Sequence, residues 1–111
     1  MTVESILQAM LGAAASAFGD EWKHVKNIVP TEFHKFAVQL AAIPPNVAKH
    51  AQDPMQGYSA ETGKIIAGMQ LRGLEATLTA VTAVTLVTVQ RAMDRILAIL
   101  KQAFVDLVPF L

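Results

Sequence analysis

Two side chains near the start of the sequence stand at a spacing that does chemistry. Glu21 and His24 place a carboxylate and an imidazole one helical turn apart, where both can reach the same point beyond the helix surface. Carboxylate oxygen and imidazole nitrogen together suit iron or manganese, and no cysteine is present to compete as a softer ligand. A third carboxylate, Glu75, is expected inside a leucine seam between Leu71 and Leu78. A charge there costs several kcal/mol unless it is paired, protonated or bound to a metal. Arg72, three residues earlier, is its expected partner in an intrahelical or intersubunit salt bridge.

The Glu-x-x-His spacing resembles the metal-carboxylate helices of ferritin-like proteins. That resemblance covers these spacings alone. It implies iron or manganese held by Glu21, His24 and Glu75 across a dimer, because one chain carries the motif once and the second must come from a partner. The competing reading is solvation: on a helical wheel Glu21 and His24 project toward the polar side with Lys35 and Gln39. His34 and His50 have no partner at ligand spacing, and His50 reads as solvated loop. Ser5, Ser16 and Ser59 carry capping context and no acid-histidine context. No Gly-rich phosphate loop, nucleophile elbow or zinc motif occurs. The chain is therefore read as non-enzymatic.

The elements that would position these groups are helices. Apolar residues make up 53% of the 111 residues and charged residues 16%, more apolar and less charged than a small water-facing monomer needs. Nine basic and nine acidic side chains cancel, which leaves no field to recruit nucleic acid. The absence of cysteine excludes disulfides and thiolate sites. Met1-Thr2-Val3-Glu4 is acidic where a signal peptide starts basic, so the cytoplasm is the expected location.

Thr2 is the expected cap of a helix over 3–18 that ends at Gly19. Trp22, Val25, Val29, Phe33, Phe36, Leu40 and Ile43 keep one phase across Pro30, which predicts a second helix over 20–43 kinked near that proline. Pro44-Pro45 should end it and open a loop over 44–58. From Ser59 to Val108 no proline occurs, and helical phase predicts one helix over 59–108. Such a helix would be ~70 Å long, so it must either break, with Gly68 and Gly73 the expected places, or lie in an elongated assembly. The threonines at 77, 79, 82, 85 and 88 spiral round it with hydroxyls free to bond back to carbonyls one turn earlier.

The expected fold is thus all-α. It is a long helical hairpin of two shorter helices packed antiparallel on one long C-terminal helix, in a single domain. Leu71, Leu74, Leu78, Val81, Val89, Met93, Ile96, Leu100 and Leu107 form the stripe facing the hairpin partner. A second apolar face includes Ile65, Met69, Gly73, Ala76, Ala80, Ala83, Val84 and Val87, and stops there. A helix apolar all round is buried all round. Met69, Gly73, Ala76, Ala80, Ala83, Val84 and Val87 are accordingly the expected oligomer interface, in a coiled-coil-like dimeric four-helix bundle or a higher homo-oligomer with a structural or scaffolding role. A membrane-associated or pore-forming protein is the rival reading. Residues 5–19 and 76–90 are uncharged, but at ~22 Å each they fall short of the ~30 Å hydrocarbon core.

Overall fold

Helix α1, Val3–Phe18, begins where Thr2 stops the extended chain. Thr2 Oγ1 accepts the Ser5 N–H at 3.0 Å and the Thr2 N–H reaches Ser5 Oγ at 2.9 Å. This is a reciprocal cap with Ser5 in the place usually held by glutamate or glutamine. At the other end Gly19 takes φ 57° and its N–H closes on the Ala15 carbonyl. In the computed structural model, which describes residues 1–81 and 85–111, a single 3₁₀ turn (Gly19–Glu21) and the short helix α2 (Trp22–Val25) follow. Helix α3 spans Val29–Gln52, α4 Ala60–Val81 and α5 Leu86–Ala103, and a 3₁₀ segment over Val105–Phe110 completes the chain. The described residues contain no strand.

Three expected boundaries require correction. The chain breaks before Pro30, not at it: Lys26–Ile28 turn, and Pro30 sits in the first turn of α3. A proline there loses no hydrogen bond, because the first helical N–H groups have no partner in any case. The predicted stripe is still the buried one, with Val25, Val29, Phe33, Phe36, Leu40 and Ile43 all enclosed. The second correction is at Pro44-Pro45, where the helix continues to Gln52. The segment beyond the prolines is tied from both sides. Asn46 Nδ2 donates to the Ala42 carbonyl at 2.8 Å, and the Tyr58 N–H donates to the Asn46 carbonyl at 3.3 Å. Gly57, at φ 57°, makes that return: a Cβ on it would fall on the Asn46 carbonyl oxygen. The loop is therefore short, and His50 lies in the last turn of α3 with Nδ1 3.1 Å from the Gln56 carbonyl oxygen.

The third correction concerns the long helix. Gly68 and Gly73 lie inside α4, which runs unbroken past both. Helix α4 ends at Val81 and α5 begins at Leu86. Thr85 is extended (φ −71°, ψ 155°) and caps α5, its Oγ1 accepting the Thr88 N–H at 3.3 Å. Helix α5 then ends at Ala103, short of the expected 108, so that the 3₁₀ segment can bury Leu107. The molecule measures 48 × 23 × 20 Å, which leaves no room for a ~70 Å rod.

Packing follows from these turns. Helix α5 lies chiefly on α1, α1 on α3, and α3 on α4, while α4 and α5 touch far less. Ile6, Met10 and Ala14 of α1 are sealed between the α3 stripe and Val89, Met93, Ile96 and Leu100 of α5. Each fully buried leucine or isoleucine contributes about 1.5–3 kcal/mol, so this layered core carries the fold. The C-terminal segment closes one end against α3, α4 and α5. Gly63 permits that closure, since a Cβ there would stand 3.0 Å from both Ile43 Cγ2 and the Phe110 ring. No described helix is long and apolar enough to cross a membrane.

Candidate functional site

Glu21 closes the 3₁₀ turn before α2 and His24 sits within α2. His24 is exposed and Glu21 half-buried, with its Oε2 shut off from solvent and without a hydrogen-bond partner. Glu75 lies in the middle of α4, half-buried. Within one chain these three do not converge, and among the described residues no three histidine, aspartate or glutamate side chains form a cluster. A metal bound by this set would need ligands from a second copy.

Glu75 lines a cleft of about 330 Å³ where α4 and α5 diverge, together with Arg72, Gln90 and Asp94 and an apolar floor of Leu71, Met93 and Leu97. The expected Arg72–Glu75 bridge is not made within the chain. The Arg72 guanidinium instead lies back toward Gly68, where Nη1 is 3.9 Å from the position a Cβ would take. Among the described residues the ion pair is Lys35 Nζ with Glu32 Oε1, at 3.3 Å on α3. The Glu75 carbonyl accepts the Thr79 hydroxyl at 2.8 Å, the back-bond expected of a threonine inside a helix.

The second apolar face of α4 is the larger feature. Met69 is 59% exposed and Ile65 61%, and Gly73, Ala76 and Ala80 are exposed beside them. Nothing stands within 4 Å of a Cβ built on Gly73. Val87, 64% exposed, opens α5 next to the exposed Leu86. Ala83 and Val84 of the expected interface lie outside the described residues. Sequence reasoning overlooked Leu86 and also Val105, which is 77% exposed on the C-terminal segment. In helical phase Val105 falls opposite the buried stripe of Val89, Met93, Ile96 and Leu100, on the same side as Met69 and Val87.

Comparison with protein-family models, with curated proteins and with solved structures gave no match.

Proposed function

We propose that the protein is a self-assembling helical scaffold without catalytic activity, acting in the cytoplasm as a homodimer or higher oligomer. One observation carries this reading. Helix α4 buries one apolar stripe inside the chain and holds out a second, in which Ile65 and Met69 are more than half exposed and Gly73, Ala76 and Ala80 allow a close backbone approach. Contiguous apolar surface of this kind marks an interaction site more often than it is tolerated on a monomer. The net charge of zero removes the repulsion that would keep copies apart.

Sedimentation equilibrium at micromolar concentration tests the proposal. The parent should run as a dimer or larger. Ala80→Glu should run as a monomer of unchanged helicity, because Ala80 is exposed within one chain and its substitution disturbs only the contact between chains. A compact parental monomer would sink the reading.

A second reading rests on Glu21. A buried carboxylate oxygen without a hydrogen-bond donor calls for a partner. In a dimer with iron or manganese that partner is the metal, with His24 and Glu75 completing the set from the two copies. Metal analysis of protein purified without chelator should then find about two ions per dimer, lost in Glu21→Ala. A metal-free parent removes this reading and leaves the scaffold untouched.

A further inference from the structure

We infer that the groove between α1 and α5 binds the anion of a medium-chain fatty acid, with the carboxylate on Arg95 and the tail laid along the groove toward Gln102. The groove uses no residue of the α4 face on which self-assembly is proposed, so the two readings stand or fall separately.

The groove begins in the sequence. Gly12-Ala13-Ala14-Ala15 of α1 carries no side chain larger than a methyl. Ala14 is fully buried with Ile6 and Met10 in the core, which leaves Gly12 and Ala13 on the edge of α1 that borders α5. On α5 the face of Val89, Met93, Ile96 and Leu100 is packed inward. Arg95, Ala98, Ile99 and Gln102 line the groove beside it. The space holds about 410 Å³, within the range of about 300–1,000 Å³ usual for small-molecule sites. Its two walls are helices that pack closely on each other through the core.

Lining, charge and length select the occupant. Gly12, Ala13, Ala98 and Ile99 offer only apolar surface, which suits a hydrocarbon tail. Arg95 is the one charged residue lining the groove, and among the described residues it makes no ion pair. Its sequence neighbour Asp94 lines the cleft on the α4 side instead. An exposed guanidinium at an apolar trough offers parallel N–H donors in the geometry of a carboxylate. Arg95 and Gln102 stand seven residues apart on α5, about 10.5 Å along the axis. That is the extended length of about nine carbons, and decanoate matches it. The Gln102 amide closes the far end, so a longer tail gains little.

Gly12 allows the groove to be filled without harming the fold. It is exposed, and nothing stands within 4 Å of a Cβ built on it. Gly12→Leu therefore occupies the groove and places a better helix former in α1.

Calorimetric titration of the whole chain with decanoate below its micellar concentration, near neutral pH where a carboxylate is ionised, tests the site. The parent should bind about one decanoate per chain with a Kd on the order of 100 μM. Arg95→Gln should weaken decanoate about tenfold and bind decanol, which keeps the tail without the charge, as the parent does. Gly12→Leu should lose saturable binding of both while its circular dichroism matches the parent's. Affinity should rise from hexanoate to decanoate and level off at dodecanoate. A parent that binds no decanoate would overturn the site. Undiminished binding by Gly12→Leu would also overturn it, because the tail would then lie on other apolar surface such as the exposed face of α4. Parental affinity for decanoate in Arg95→Gln would refute the role given to the arginine, and with it the choice of an anion.

Discussion

The glycines separate into positions where the backbone needs one and positions where it does not. At Gly63 the added methyl of alanine meets Ile43 and the Phe110 ring at 3.0 Å. Crowding of that kind costs about 1–3 kcal/mol, against about 1 kcal/mol gained from helix propensity. At Gly12 nothing lies within 4 Å, so the same change keeps the whole gain. Gly12→Ala should raise stability by about 1 kcal/mol and Gly63→Ala should lower it by about 1 kcal/mol. Urea titrations of the two variants check the difference, and equal responses would remove the close seat assigned to Phe110. Glu21 and Glu75 differ in the same way. Both are half-buried carboxylates, but Glu75 opens on a cleft and only Glu21 has an oxygen closed off without a partner.

Among the elements, α5 depends most on a single residue. Among the described residues its N-terminus is capped by Thr85, whose hydroxyl accepts the Thr88 N–H. Thr85→Ala removes that acceptor and should cost the single chain about 1 kcal/mol, read as a lower thermal midpoint at low concentration. A midpoint equal to the parent's would mean that the cap does not hold the start of α5. Helix α3 shows the opposite balance. Its two internal prolines forfeit hydrogen bonds, yet Asn46, Gly57 and Tyr58 clamp the turns that follow, and Ile43 is fully buried beside them. Local preference is overridden because the downstream turns have tertiary partners.

For the whole molecule the balance lies between the core inside one chain and the apolar face left on α4. Gly73→Ala probes both at once. In the single chain its methyl meets nothing and should add about 1 kcal/mol through helix propensity. In the proposed assembly the same methyl would enter the seam where two backbones approach. The variant should therefore melt higher when dilute and dissociate more readily when concentrated, measured by calorimetry and sedimentation. A gain at both concentrations would place Gly73 outside the contact. Ala80→Glu, which adds a charge to the same face, should dissociate the proposed assembly without affecting the single chain.

The all-helical class was readable from the sequence because helical periodicity is a local property: Val25, Val29, Phe33, Phe36, Leu40 and Ile43 share one phase whatever packs on them, and they are the buried residues. Thr2 and Gly19 were readable for the same reason, since a cap is completed within a few residues of chain. The two-sided character of α4 could also be seen, and the structure leaves Met69, Gly73, Ala76 and Ala80 facing outward. Only the tertiary structure decided where helices continue and where they turn. Pro44-Pro45 is a strong local stop, countered by contacts from residues 57 and 58 that no nearby pattern announces. The end of α4 at Val81 and the start of α5 at Leu86 have no glycine or proline to mark them, and α5 lies chiefly on α1, some eighty residues away in the chain. Burial of a distant partner's surface, summed over a whole helix, outweighs local preference.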